Sequence, residues 1–199
     1  MRKASIMLAL ALASLLLCQT AFSIEKTVAV NKSVKLEVGK DAPWFSGWTT
    51  DDKVFTVRKA LDDPKVKRLA LVFFAKYCVA CRPGIKKLAA AADKMQAQGI
   101  QVVLVNFQDK PDEIQQYLKS LSANADGPAQ GGAPNSQQNV GIPFTVVLDR
   151  YGQSNRVFLE PTGDKVVLPR TVLIGKDGKV QAIFGEEGDD YVDRIMQGN

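Results

Sequence analysis

The apolar positions of the chain alternate between runs of strand length and helical spacings. Residues 69–74 are a continuous apolar run and residues 100–107 a largely apolar run of strand length, which predict two buried strands. Each run is followed by apolar residues at helical spacing, so we expect a β-α-β-α order. The apolar face of the first helix consists of Ile85, Leu88, Ala92 and Met95, and that of the second of Ile114, Tyr117, Leu118 and Leu121.

The last third of the chain contains two similar apolar segments, residues 142–148 and 168–174, each ending in a turn. The second is followed by Asp177-Gly178, which predicts a hairpin because glycine adopts the backbone angles of tight turns. Asp189-Asp190 then predicts the start of a final helix. Before residue 69, residues 24–40 predict one or two short strands, and residues 54–61 a strand running into a helical turn.

This order predicts an α/β fold with a central mixed β-sheet, helices on both of its faces and N-terminal extension strands. We expect one domain over residues 24–199. Residues 122–139 are rich in Ala, Gly, Pro, Asn and Gln without an apolar period, which predicts a loop insertion. Acidic residues at positions 186, 187, 189 and 190 are interpreted as a solvated turn and helix cap.

Residues 1–23 have the pattern of a secretory signal peptide. Arg2 and Lys3 precede an apolar run over residues 6–17, and the small residues Ala21 and Ser23 precede a predicted cleavage before Ile24. The run is short for a membrane span, so we expect a periplasmic or secreted protein. A leader that stays uncleaved as a membrane anchor is the alternative.

Charge and composition exclude several functions. Removal of the leader lowers the formal net charge from +5 to +3, without a Lys/Arg cluster, so nothing indicates nucleic-acid binding. Cys18 leaves with the leader, and the mature chain keeps two cysteines and no histidine. A structural zinc site usually has four nitrogen or sulfur ligands, so no metal is expected.

The two remaining cysteines form the motif Cys78-Val79-Ala80-Cys81, placed between a predicted strand and a predicted helix. This is the arrangement of a redox-active dithiol. The positive end of the helix dipole favours a thiolate at Cys78, which we expect to be the exposed helix N-cap and nucleophile. Lys76 and Arg82 are expected to lower its pKa further, while Cys81, buried one turn along, resolves the mixed disulfide.

Several segments in this order resemble the thioredoxin superfamily, and within it the exported TlpA/ResA type. Residues 38–45 are similar to the opening segment of that group, residues 71–82 to its active-site strand and motif, and residues 103–118 to the following strand and helix. Residues 168–174 resemble the segment that carries the cis-proline. The resemblance implies that Pro169 is cis and faces the dithiol, that the backbone of Leu168 binds a substrate strand, and that Tyr77 forms part of the contact surface.

The chain departs from the pattern of the superfamily at four places. Tyr77 replaces the usual Trp, and Val79-Ala80 replaces the common pair between the cysteines. Val72 stands where thioredoxin has a buried acid, and Gly84 stands where the ResA type has a Glu. No protein base for Cys81 can therefore be named from the sequence.

The resemblance implies a thiol–disulfide oxidoreductase that reduces disulfides of exported proteins, for example apocytochrome c, and takes electrons from a membrane thiol carrier. It needs no cofactor beyond the Cys78–Cys81 pair. The alternatives are a dithiol oxidant, or a thioredoxin-like binding module without turnover, which the missing buried acid favours. A peroxidase of related fold would have a Thr at position 75, where this chain has Ala.

Overall fold

The computed structural model describes residues 36–123, 141–159, 166–185 and 187–198. The predicted signal peptide, most of the segment 24–40 and most of the loop 122–139 lie outside these ranges. Among the helices of the described ranges, none has the length and apolar character needed to cross a membrane.

Within the described residues, seven strands form one mixed sheet in the order β2-β1-β5-β4-β3-β6-β7. Strands β3, β4 and β5 are parallel, and every other neighbouring pair is antiparallel. This confirms the predicted α/β class and mixed sheet. The strands are β1 (Ser46–Thr49), β2 (Val54–Thr56), β3 (Arg68–Phe74), β4 (Ile100–Phe107), β5 (Thr145–Asp149), β6 (Arg170–Gly175) and β7 (Val180–Phe184).

Six helices connect or follow these strands in the described ranges. The predicted hairpin and final helix are present, and Gly178 in the hairpin turn has a φ of 80°. The helices are α1 (Val57–Asp62), α2 (Cys81–Ala90), α3 (Ala92–Ala97), α4 (Pro111–Ala123), α5 (Gln153–Val157) and α6 (Tyr191–Gln197).

Three boundaries differ from the prediction. The single helix expected after the dithiol is divided at Ala91, whose φ of −101° and ψ of 6° leave the helical region. Helix α4 continues to Ala123, so the loop predicted from residue 122 begins later. Residues 36–40 form coil and turn rather than a strand, with only a single bridge just beyond them, from Asp41 to Lys179. Within the described part of the chain, the strands before β3 are β1 and β2.

Successive residues of β3 face opposite sides of the sheet and so supply two apolar cores. Ala70, Val72 and Phe74 pack into one core, together with both cysteines, α2, α4 and α6. Leu69, Leu71 and Phe73 pack into the other core, which also contains Phe45 and Phe158. The dithiol therefore belongs to one face of the sheet.

Candidate active site

Strand β3 leads directly to the first cysteine. Its residues 69–74 are fully buried, and the short segment from Ala75 to Ala80 then connects the strand to α2. The amide of Cys78 donates to the Ala75 carbonyl at 3.0 Å, and the amide of Cys81 donates to the Cys78 carbonyl at 3.2 Å. These two turns place Cys78 at the carboxyl end of the central strand.

A polar contact with the end of β4 holds this segment. The Asp109 carboxylate accepts a hydrogen bond from the Lys76 amide at 2.7 Å and one from the Asn106 side-chain amide at 2.8 Å. Asn106 is itself fully buried, and its side-chain oxygen accepts from the Asp109 amide at 3.2 Å. The turn before Cys78 is therefore fixed to the neighbouring parallel strand.

Cys78 and Cys81 are joined by a disulfide bond, with their α-carbons 5.4 Å apart. The prediction that Cys78 is exposed is wrong, since the residue is 7% exposed and packs into the apolar core on its side of the sheet. Its sulfur is bonded to Cys81 instead of pointing into solvent. Cys81 is only 1% exposed, so Cys78 is still the more accessible of the two.

The prediction that Cys78 is the N-cap is also wrong. Helix α2 begins at Cys81, and its N-cap is Ala80, which has no side chain able to bond the free amides. Cys78 lies just before this helix end, where the dipole still favours negative charge. Pro83 is the third residue of α2, where a helix amide has no intrahelical acceptor, so its missing N–H costs no ladder bond.

The two cations predicted to assist Cys78 are engaged by other groups. The Lys76 ammonium forms an ion pair with Glu113 at 2.7 Å, which raises the pKa of Lys76 and lowers that of Glu113. The Arg82 guanidinium lies over the Tyr117 ring, 5.5 Å from its centroid. Both cations therefore interact with side chains of α4, which leaves less of their positive charge to stabilise a Cys78 thiolate.

The three predicted substrate-binding residues lie at the same end of the sheet as the disulfide. The peptide bond between Leu168 and Pro169 is cis, which confirms the predicted isomer. Arg170 pairs with Phe73 in antiparallel register, so Pro169 comes next to the end of β3. Tyr77 is 63% exposed beside Cys78, whereas Pro169 is buried and Leu168 half-buried.

The sequence missed one residue of this site, Glu187. Instead of lying in a solvated turn, its carboxylate is packed against Gly84 of α2, and both carboxylate oxygens are buried. Burial raises the pKa of Glu187 to about 7, although the Gly84 amide and Lys87 act in the opposite direction. The only hint in the sequence was a glycine in the first turns of a helix, where it is unfavourable.

Known proteins resemble this chain over most of its length. Its residues 38–183 match the model of the AhpC/TSA family. The thiol-disulfide oxidoreductase ResA of Bacillus subtilis (strain 168) is 28% identical over 165 residues, which cover 83% of this chain and 76% of that protein.

Solved structures show the same fold. One from Chlorobium tepidum, described as a thiol:disulfide interchange protein DsbE, has a TM-score of 0.59 at 25% identity and covers 82% of this chain and 98% of that one. Peroxidoxin BcpB from Mycobacterium tuberculosis has a TM-score of 0.61 at 13% identity, covering 82% and 96%, and is similar in fold alone.

The fold, the dithiol at the end of the central strand and these likenesses agree with one another. The chain belongs to the AhpC/TSA family of thioredoxin-like proteins, and it is a thiol–disulfide oxidoreductase of the ResA/DsbE type.

Proposed function

We propose that this enzyme reduces disulfides of exported proteins in the cell envelope, with Cys78 as the attacking and Cys81 as the resolving sulfur. The observation that carries the assignment is the order of exposure, 7% for Cys78 against 1% for Cys81. A substrate disulfide approaching the surface meets Cys78 first. Tyr77 at 63% and Val79 at 75% exposure flank it with apolar surface suited to an unfolded polypeptide.

The chemistry is two successive thiol–disulfide exchanges. The Cys78 thiolate attacks one sulfur of the substrate disulfide, the substrate S–S bond breaks, and a mixed disulfide forms as the first substrate thiolate leaves. Cys81 then attacks the sulfur of Cys78, and the second substrate thiolate leaves. The substrate gains two electrons and two protons, and the enzyme ends as the Cys78–Cys81 disulfide.

Substrate recognition is proposed to use β-addition. Leu168 and Pro169 precede β6 at the edge of the site, and an extended substrate strand would pair with the Leu168 backbone. Such pairing depends on the main chain and so suits many sequences. Apocytochrome c is our proposed example of an exported substrate.

The predicted signal peptide and the likeness to ResA support this proposed cellular setting. Cleavage before Ile24 would release the protein into the periplasm or the medium. After each turnover the disulfide must be reduced again, and we propose a membrane thiol carrier as the electron donor.

Replacement of Cys78 tests the sulfur roles. We expect Cys78→Ser to abolish insulin reduction by the purified protein, because the accessible nucleophile is lost. Cys81→Ser should instead keep the first attack and accumulate a mixed disulfide, which mass spectrometry detects. Unchanged turnover in Cys78→Ser, or a trapped adduct only in that variant, would contradict the assignment.

The midpoint potential tests the direction of the reaction. For a reductant we expect the Cys78/Cys81 couple to equilibrate at about −270 mV or lower, since thioredoxin lies there. The measurement is equilibration with glutathione or dithiothreitol buffers, followed by alkylation of free thiols. A value near about −120 mV would identify an oxidant instead.

A further inference from the structure

A buried carboxylate lies against the helix that carries the second cysteine. Glu187 belongs to the segment between β7 and α6, and its side chain reaches across to α2. A Cβ added to Gly84 would overlap the Glu187 carboxylate and would lie 2.7 Å from Oε1. The glycine therefore leaves the space that the carboxylate occupies.

This position is adjacent to Cys81. Gly84 follows Cys81 by three residues within α2, and residues at that spacing lie on the same helix face with their Cβ atoms about 5–6 Å apart. Because the Glu187 carboxylate fills the Cβ position of residue 84, it lies about 5–6 Å from the Cβ of Cys81. A proton can cross such a gap through one water molecule.

The groups that face Glu187 do not neutralise it. Lys87 on α2 is its nearest cation, but the Lys87 ammonium donates to Asp189 at 2.9 Å and to the Gly188 carbonyl at 3.1 Å. Tyr191 on α6 and Tyr117 on α4 face it as neutral phenols, and burial raises the pKa of each. Among the described residues, neither oxygen of Glu187 has a hydrogen-bond partner of normal geometry.

A buried carboxylate that is compensated only weakly, here by the Gly84 amide and Lys87, is unfavourable in its charged form. Burial accordingly raises the pKa of Glu187 to about 7, so that both protonation states are populated near neutral pH. A group with this property can accept a proton in one step and return it in another.

We propose that Glu187 is the proton acceptor for the Cys81 thiol when Cys81 resolves the mixed disulfide. The proposal rests on the roles of Cys78 and Cys81 given above, but holds for either direction of the overall reaction.

The step balances as follows. The proton of Cys81 moves to the Glu187 carboxylate, and the resulting thiolate attacks the sulfur of Cys78. The Cys78–substrate bond breaks, the Cys78–Cys81 bond forms, and the substrate leaves as a thiolate that takes a proton from water. Glu187 returns its proton to solvent, or in the reverse reaction to the Cys81 thiolate as the disulfide opens.

The test is stopped-flow kinetics of the reduced full-length protein with a small aromatic disulfide whose thiolate product absorbs visible light. Attack by Cys78 gives a first phase proportional to reagent concentration, and resolution by Cys81 gives a second phase independent of it. We expect Glu187→Gln to slow the second phase about 100-fold at neutral pH. It should also remove an inflection near pH 7 and leave the first phase unchanged.

Asp193→Asn is the matched control, since it removes the same charge from an exposed carboxylate on α6, leaves the Lys87–Asp189 ion pair in place and should alter neither phase. Gly84→Ala is the second variant: its methyl group displaces the carboxylate and should produce the same loss of the inflection. A second phase of unchanged rate and pH profile in Glu187→Gln, or equal slowing in Asp193→Asn, overturns the proposal. Absence of the first phase in the wild type would instead refute the role of Cys78.

Discussion

At the scale of single residues, the absence of a side chain at Gly84 matters to the site as much as the side chains that are present. Gly84 allows the Glu187 carboxylate to lie beside the helix of Cys81, where any larger residue would exclude it. The two cysteines differ in exposure, and the proposed roles of attack and resolution rest on that difference. In the proposed mechanism, the burial that raises the pKa of Glu187 also allows this carboxylate to accept the proton of Cys81.

This burial predicts a pH-dependent stability. The pKa of Glu187 rises from 4.5 in the unfolded chain to about 7 in the fold, so between these values the folded state binds more protons. Its contribution to the free energy of unfolding therefore falls as pH rises from about 4.5 to about 7. Because the residue is partly in contact with solvent, we expect a loss of about 1–2 kcal/mol rather than the full effect of the shift.

Urea denaturation of the oxidised protein at several pH values measures this loss. The variant Glu187→Gln should lack it, so that its stability relative to wild type improves as pH increases. Parallel curves for the two proteins from acidic to alkaline pH would show that Glu187 ionises normally. Asp193→Asn should follow the wild-type curve in this range, since its carboxylate is exposed and the Lys87–Asp189 ion pair stays in place.

At the scale of elements, the parts with a strong apolar period were predictable. Strands β3 and β4 are buried at all but one position each, and the predicted face of α4 is buried at all four positions. Strand β1 was missed because its sequence, Ser-Gly-Trp-Thr, does not alternate between apolar and polar residues. It forms a strand because it pairs with β2 and β5. Helix α5 was missed because it has only five residues.

In the active site, too, the parts defined by local sequence were predictable, and the contacts between distant segments were not. The dithiol and the proline before β6 were predictable since each lies in a local motif. The contact between Glu187 and Gly84 joins residues 103 positions apart by sequence number, and no periodicity or spacing links them. The contact of Asp109 with the Lys76 amide likewise requires β3 and β4 to be parallel neighbours, which a single strand pattern does not specify.

At the scale of the whole molecule, the sheet separates two apolar cores, and only one of them contains the disulfide. Both cores contribute to the free energy of unfolding. The core that contains the disulfide also holds the reacting sulfurs, Glu187 and the elements that position them. A packing defect in the other core should therefore lower the free energy of unfolding without changing the chemistry of the dithiol.

Phe158 provides the test of this separation. It is fully buried, stacks on Phe73 with ring centroids 5.3 Å apart and meets the edge of Phe45 at 5.8 Å. We expect Phe158→Ala to reduce the free energy of unfolding by about 3–5 kcal/mol, the usual cost of a cavity left by a large aromatic residue. Tyr151→Ala, at a residue 80% exposed, should have little effect.

The second stopped-flow phase, which is independent of reagent concentration, distinguishes the roles of the two cores. Its rate is measured at low temperature, where the variants are folded. Phe158→Ala should retain the wild-type rate within about a factor of two, because distant sites act independently. Ile85→Ala creates a comparable cavity in the core that contains Cys81 and should change that rate, since the helix carrying the resolving sulfur loses its support. Equal changes in both variants would mean that strain passes through the sheet, and that the two cores act as one unit in catalysis.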